Sequence, residues 1–86
     1  MAAAAFPPLP LIPLVTQIAA ILTERKQTVA VAETAAGGLI SAALLSVPGA
    51  SAYYRGGLTV YSPASRVAYA GWSEADFANY KCAFSL

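Results

Sequence analysis

The chain contains 86 residues, of which 58% are hydrophobic and 10% are charged, and its mean hydropathy is +0.60. A net charge of +1 leaves no basic patch, so a nucleic-acid-binding function lacks its usual electrostatic footprint. Cys82 is the single cysteine and histidine is absent, which excludes an internal disulfide and a zinc site with the usual ligands. These features suit a cytoplasmic protein.

The hydrophobic content is high for such a short chain. A chain of this length forms one small domain and buries only about 60 to 65% of its unfolded surface. Fewer apolar residues would be enough for the core of a small monomer. We therefore expect either that the surplus faces a partner, as in a homo-oligomer, or that residues are missing from the chain.

Two long stretches carry no charge, one before Glu24 and one over residues 34–54. The first contains four prolines and lacks the basic start of a secretory signal. The second is interrupted by Gly37-Gly38 and by Pro48-Gly49, which leaves too few helical residues to span a bilayer. We therefore expect no membrane partner.

The N-terminal part of the chain predicts a lead-in followed by a helix and a strand. Residues 1–10 are rich in alanine and proline, and we expect them to be disordered or extended before a domain over 11–86. Helical spacing then joins five apolar residues: Leu11, Leu14, Val15, Ile18 and Leu22. Pro13 fits the first turn of this helix, and the basic residues near position 25 suit its end. Residues 28–32 predict a short buried strand.

The stretch Ala32-Glu33-Thr34-Ala35-Ala36-Gly37-Gly38 predicts a tight turn from this strand into a second helix. Free backbone N–H groups at a helix start attract anions, so the turn is a candidate anion-binding or active site. The helix is expected over residues 38–47, where Pro48-Gly49 stops it. Its apolar face comprises Leu39, Ile40, Ala43, Leu44 and Val47.

Residues 58–61 alternate like a second strand, which completes a βαβ unit. Such units are parallel and right-handed, so the glycine-rich turn and Tyr61 should lie at the same carboxyl edge of the sheet. We therefore predict an α/β fold in which Thr34 and Tyr61 face one pocket. A short helix over 63–69 follows, with Ser62 as its N-cap and Gly71 at its end. Ser73 with nearby acidic residues predicts one further helix start, continuing through Phe77 and Tyr80.

Three motifs in register resemble a known family. They are Ala32-Glu33-Thr34-x-x-Gly37-Gly38, then Val47-Pro48-Gly49-Ala50-Ser51, then Gly57-x-x-x-Tyr61-Ser62. Together they resemble the C-terminal domain of the competence/damage-inducible CinA proteins, known as nicotinamide-nucleotide amidase. In that family the first motif typically reads Ala-Glu-Ser-x-Thr-Gly-Gly and the third Gly-x-x-x-Tyr-Ser-Asn-x-x-Lys. The order and spacing match without a gap, and the resemblance covers roughly residues 18–77.

The resemblance implies a three-layer α/β/α domain, of which this chain would hold the N-terminal part. It also implies hydrolysis of the carboxamide of nicotinamide mononucleotide, a small nucleotide substrate, to the acid and ammonia without metal or organic cofactor. The family nucleophile is a serine helped by a tyrosine and a lysine. These catalytic positions fall on Thr34, Tyr61 and Arg66. The residues that the resemblance places around the substrate are Glu33, Ala36, Gly37 and Gly38.

Three of these positions depart from the family pattern. Thr34 keeps the attacking hydroxyl, although its methyl group restricts rotation. Arg66 replaces the lysine, and a guanidinium does not release a proton near neutrality, so Arg66 is expected to hold an anion rather than act as a base. Ala36 lacks the hydroxyl of the family threonine. An alternative function is therefore a non-catalytic homologue or fragment that serves as an association or nucleotide-binding module.

The turn residues each allow a structural interpretation beside the functional one. The Thr34 hydroxyl is expected either to attack substrate or to cap the helix that follows. Glu33 either orients the turn or binds substrate, or it is a solvated carboxylate near a helix start. Gly37 and Gly38 either donate N–H groups to a bound group or only permit a tight turn.

The remaining candidates are weighed in the same way. Tyr61 is either a proton relay or part of the core edge, and Arg66 is either an anion clamp or an exposed helix charge. Four aromatic residues are expected to be anchors in the core or at a subunit contact rather than a platform for stacking a base. They are Tyr53, Tyr54, Tyr69 and Trp72. We expect no reactive thiol at Cys82, because Lys81 is its only nearby cation.

Overall fold

The computed structural model describes residues 6–73, 75 and 76. Its elements follow the predicted order of helix, strand, helix, strand and helix, with a 3-10 turn at Leu9–Leu11 and another at Ala50–Ala52. The helices are α1 (Ile12–Arg25), α2 (Leu39–Leu45) and α3 (Pro63–Ala70), and the strands are β1 (Val29–Glu33) and β2 (Tyr54–Thr59). The α/β class is therefore confirmed.

Helix α1 has a proline in its first turn, as predicted, and ends where Lys26 adopts a left-handed conformation with φ 53°. Its buried residues are Val15 and Ala19. Leu11, Leu14 and Ile18, three of the apolar residues at helical spacing, are exposed by 41, 53 and 43%. These three stay exposed because the apolar arc of α1 is wider than the surface that the described sheet and α2 cover.

Strands β1 and β2 are parallel, and Val29 pairs with Tyr54 while Glu33 pairs with Thr59. The predicted parallel βαβ unit is thus confirmed, but β2 begins four residues earlier and ends two residues earlier than the sequence pattern indicated. The glycines at positions 56 and 57 have poor strand propensity, yet the ladder to β1 holds them in the strand. Strand β1 extends one residue further than predicted, to Glu33, whose carbonyl accepts a 2.9 Å hydrogen bond from the Val60 amide.

Helices α1 and α2 cover the same face of the sheet. The core between them consists of Ala19, Leu44, Ala50 and Tyr53. Tyr53 is 1% exposed and its hydroxyl donates to the Leu44 carbonyl at 2.5 Å, which confirms it as a core anchor. Burial raises the pKa of Tyr53.

The opposite sheet face carries the side chains of Ala30, Ala32 and Leu58, together with Gly56. Within the described residues, the end of α3 borders this face, where Tyr69 and Ala70 help to line a cavity of about 420 Å³. Parallel sheets are normally covered on both faces. The described part of the chain therefore contains one covered layer and one largely open layer of the α/β arrangement.

Helix α2 is shorter than predicted. It buries Ala43 and Leu44 as expected, whereas Leu39 and Ile40 are exposed by 59 and 48%. These two members of the predicted apolar face are exposed because the glycine turn delays the start of the helix to Leu39, which leaves its first residues at the sheet edge.

Helix α3 begins at the predicted residue and ends one residue later than predicted, at Ala70. The Ser62 side chain accepts a hydrogen bond from the Ser65 amide at 3.1 Å, and Gly71 ends the helix in a left-handed conformation with φ 72°. Ser73 and Asp76 then form a reciprocal cap, because the Ser73 amide donates to Asp76 and the Asp76 amide donates to Ser73. The predicted continuation through Phe77 and Tyr80, and Cys82, lie outside the described residues. None of the helices in the described ranges combines the length and apolar character that crossing a membrane requires.

Candidate functional site

The turn between β1 and α2 has the tight geometry that its glycines predicted. Gly37 and Gly38 have φ angles of 66° and 95°, in the left-handed region that favours glycine. The Gly37 amide donates to the Thr34 carbonyl at 3.1 Å, and the Leu39 amide donates to the Ala36 carbonyl at 3.2 Å. The Gly37 amide is therefore engaged inside the turn, in contrast to the free N–H group that the sequence predicted.

Glu33 lies beneath the start of α2 and is 3% exposed. One carboxylate oxygen, Oε1, accepts from the Ile40 amide at 2.9 Å, and the other, Oε2, accepts from the Ser41 amide at 2.7 Å. Burial alone would raise the pKa of Glu33, but the donors of Ser41 and the amides of Ile40 and Gly38 together outweigh burial and hold it below its ordinary value. The alternative of a solvated carboxylate at this position was wrong, because both oxygens accept hydrogen bonds from amides of the helix start.

Thr34 is half-buried at the carboxyl end of β1. The N-cap of α2 is Gly38, which has no side chain to cap the helix, and Glu33 supplies the capping oxygens instead. The alternative role of Thr34 as a helix cap is therefore not what the structure shows. No hydrogen bond joins the Thr34 hydroxyl to another described residue.

Tyr61 and Arg66 lie beyond the end of β2 and have opposite environments. Tyr61 is 74% exposed, and its amide donates to the Ser65 hydroxyl at 3.1 Å. Arg66 is 1% exposed, its Nε donates to the Tyr61 carbonyl at 3.1 Å, and its guanidinium lies 5.1 Å from the centre of the Trp72 ring. The alternative of an exposed helix charge at Arg66 was wrong, and so was that of a core-edge ring at Tyr61.

The sheet brings two of the predicted site positions to one edge. Thr34 directly follows Glu33 in β1, while Tyr61 follows Val60, whose amide is bonded to the Glu33 carbonyl. Gly37 is exposed beside them, and Ala36 and Gly38 are partly buried. The 420 Å³ cavity lies on the open sheet face instead, and none of the predicted site residues lines it.

A cluster of hydroxyl groups under α2 was missed in the sequence. The Ser41 Oγ atom is buried without a hydrogen-bond partner of good geometry. A Cβ atom on Gly57 would lie 2.6 Å from this oxygen and in collision with the Tyr54 hydroxyl. Gly57 belongs to the third motif, so the glycine itself was the available signal, but its close neighbours depend on the helix packing.

A parallel βαβ unit with a glycine turn at the carboxyl edge of its strands defines an α/β protein, a class in which ligands commonly bind at the strand ends. The comparison with known families then shows to which family of α/β proteins the chain belongs. A profile of the CinA C-terminal domain matches residues 12–83, and the chain belongs to this family.

The chain is similar to whole CinA-type proteins over part of their length. It is 40% identical over 55 residues to a putative competence-damage inducible protein of Halothermothrix orenii, which covers 64% of this chain and 13% of the relative. A CinA-like protein of Picosynechococcus is 41% identical over 59 residues, covering 69% of this chain and 14% of the relative.

Solved structures show the same fold. A competence/damage inducible protein of Agrobacterium tumefaciens superposes with a TM-score of 0.78 at 25% identity, covering 93% of this chain and 47% of that one. A CinA superfamily protein of Enterobacter cloacae gives a TM-score of 0.76 at 23% identity, with 93 and 48% covered. The chain thus spans about half the length of these structures and a far smaller share of the curated relatives.

Proposed function

We propose that the chain carries the nucleophile turn of a CinA-type amidohydrolase that acts on the carboxamide of nicotinamide mononucleotide. The supporting observation is the Thr34 hydroxyl, which occupies the family's nucleophile position, is half-buried and makes no hydrogen bond to another described residue. The neighbouring Glu33 performs the capping role that would otherwise occupy this hydroxyl. A hydroxyl that is held in place yet uncommitted is suited to attack a carbonyl carbon.

The proposed reaction has two steps. The Thr34 oxygen attacks the carboxamide carbon, the C–N bond breaks, and ammonia leaves with the hydroxyl proton. Water then hydrolyses the ester on Thr34 and returns the proton to the hydroxyl. Tyr61 is the proposed relay for this proton, because its phenol is exposed at the same sheet edge.

Arg66 has a supporting role in this proposal. Its guanidinium keeps its protons near neutrality and therefore does not act as the base. Its Nε–H group holds the Tyr61 carbonyl from inside the fold. The exposed Gly37 and the neighbouring Gly38 carry no side chains and so leave room for substrate beside Thr34.

Ammonia release from nicotinamide mononucleotide tests the nucleophile. We expect release by the purified chain to exceed that of Thr34→Ala, and Thr34→Ser to be at least as active as the wild type because serine keeps the hydroxyl without the methyl group. Equal release from the wild type and Thr34→Ala contradicts the proposal.

A second variant tests whether the chain lacks a base because Arg66 replaces the family lysine. Arg66→Lys introduces the family residue, whose amine can accept a proton when it is desolvated, so we expect ammonia release to rise by at least about tenfold. Arg66→Gln removes the cation without adding a base and should not raise the rate. A rise in both variants would assign the effect to loosened packing rather than to proton transfer.

A second candidate function is an association module, and it rests on a different observation. The outer α1 face, which comprises Leu11, Leu14, Ile18 and Ile21, is 41 to 53% exposed and carries no charge. We propose that this face packs against a second copy of the chain as a homo-oligomer contact. Its spacing of three and four residues matches the seam by which two helices pack together.

A further inference from the structure

We propose that Glu33 is a positioning residue for the Thr34 hydroxyl, a role that rests on the proposed function. Glu33 is the one residue of the turn that connects the nucleophile position to both neighbouring elements. Its peptide group continues directly into Thr34, its carbonyl accepts from the Val60 amide at 2.9 Å, and its carboxylate accepts from two amides of α2.

These contacts fix the turn at both ends. The Val60 bond holds the end of β1 beside the end of β2, one residue before Tyr61. The carboxylate bonds hold Ile40 and Ser41 at 2.9 and 2.7 Å, so the chain between Thr34 and Leu39 is closed into a loop of fixed span. Glu33 therefore sets the position of Thr34 relative to Tyr61, together with the 3.1 Å hydrogen bond that the Thr34 carbonyl accepts from the Gly37 amide.

The turn needs this anchor because it is intrinsically flexible. It contains two consecutive glycines, which have the largest backbone freedom of any residue, and its N-cap residue, Gly38, offers no side-chain acceptor. Helix α2 has only seven residues, so few intrahelical bonds stabilise its start. Without the carboxylate, the amides of Ile40 and Ser41 would lose their acceptors, and the loop could take up many arrangements.

The bidentate contact requires a carboxylate of glutamate length. Glutamine offers one oxygen, and its NH2 group would face an amide donor, so one of the two bonds is lost. Aspartate keeps both oxygens but is one methylene shorter. The nucleophile does not change in either variant, so an effect on attack by Thr34 reports its position. Small misplacements of a reacting group cost up to about a hundredfold in rate.

The test compares Glu33→Gln with Glu24→Gln, which removes an exposed carboxylate from α1 and serves as the matched control. In the amidase assay we expect Glu33→Gln to lower kcat by at least about tenfold while KM changes by less than about threefold, because binding contacts remain. Partial recovery of kcat in Glu33→Asp is expected if its oxygens reach one amide. A purely structural role would instead lower the amount of folded enzyme without changing kcat per folded molecule.

An NMR measurement separates this inference from the proposed function, since it needs no turnover. In the wild type we expect one Thr34 side-chain rotamer and slow hydrogen exchange at the Ile40 and Ser41 amides. In Glu33→Gln we expect rotamer averaging at Thr34 and exchange at least about tenfold faster at these amides, while Glu24→Gln matches the wild type. An inactive wild type that shows these changes would refute the amidase proposal and retain the positioning role.

Unchanged Thr34 rotamers and unchanged amide exchange in Glu33→Gln would overturn the inference. Should Glu33→Gln fail to fold, acid titration of the wild type gives the same information, because protonation removes the charge from the same carboxylate. The Thr34 methyl signal should then move together with the Ile40 and Ser41 amide signals. Independent movement of these signals would equally overturn the positioning role.

Discussion

Glu33 combines a buried carboxylate with two backbone donors and no described cationic partner in its hydrogen bonds. A buried carboxylate is costly unless its oxygens are satisfied, and here the amides at the start of α2 satisfy them. The favourable field of a helix start adds to this effect. One side chain therefore stabilises the second helix, and the neighbouring Thr34 hydroxyl makes no hydrogen bond to a described residue.

Acid should remove this contribution selectively. The ordinary pKa of the carboxyl is 4.5, and the pKa of Glu33 in the folded chain is lower, so folding favours the ionised form. The stabilisation is fully present above the ordinary pKa and is lost as the pH falls through the lower, folded value. We expect the melting temperature of the wild type to fall more steeply between about pH 5 and pH 3 than that of Glu33→Gln. Parallel curves for the two proteins would show that the charge of Glu33 is not stabilising.

The residue types of the site were predictable from the sequence, but their environments were not. The motif spacing identified Glu33, Thr34 and Tyr61, and the glycine pair indicated a tight turn. The motif spacing could not show that the Glu33 side chain points inward, because a carboxylate before a helix start is equally common in solvent. The burial of Arg66 was also hidden, since its acceptor is a backbone carbonyl and its aromatic neighbour lies six residues further along the chain.

At the scale of elements, β2 shows where local propensity failed. Its residues include two adjacent glycines, so the alternating apolar pattern was recognised only at its last part. The presence of glycine at position 57 has a steric explanation, because Ser41 of α2 and Tyr54 lie where a side chain would be. Helix starts and stops were predicted better, because proline, serine and glycine signals such as Ser62 and Gly71 act locally.

The two glycines of β2 should therefore respond differently to alanine. A Cβ atom on Gly57 would lie 2.6 Å from Ser41 Oγ and 3.3 Å from the Val31 carbonyl, whereas one on Gly56 would meet nothing within 4 Å. We expect Gly57→Ala to lower the free energy of unfolding by about 1 to 3 kcal/mol. Gly56→Ala, the matched control on the same strand, should change it by less than about 1 kcal/mol. Urea unfolding measures both, and equal values would contradict the steric explanation.

At the scale of the whole molecule, the apolar surplus seen in the composition is located on two surfaces. One is the outer α1 face, and the other is the open face of the sheet with its 420 Å³ cavity. The sequence predicted the surplus but not its position, because helical spacing cannot distinguish a core-facing stripe from an adjoining exposed one. The homo-oligomer remains a proposal that uses the first of these surfaces.

A charge on the outer α1 face should disrupt self-association. Leu14 is 53% exposed, so Leu14→Glu leaves the described core unchanged while placing a carboxylate in the proposed contact. We expect the dissociation constant to rise by at least about tenfold, since burial of a leucine is worth about 1.5 to 3 kcal/mol. Ala20→Glu adds the same charge to an exposed position on another side of α1 and should leave association unchanged. Sedimentation velocity distinguishes the species, and a monomeric wild type would contradict the proposed contact.

The pairing of the two strands contains an irregularity between Val29 and Ala30, where the partner advances from Tyr54 to Gly56. Arg55 is the extra residue of this bulge, and every later pair up to Glu33 and Thr59 depends on it for register. A chain that lacked Arg55 could keep Gly57 under α2 and Leu58 on the open face, whereas loss of any later strand residue would exchange the two faces. We therefore expect the bulge to be the position in β2 where deletion of a single residue preserves the fold.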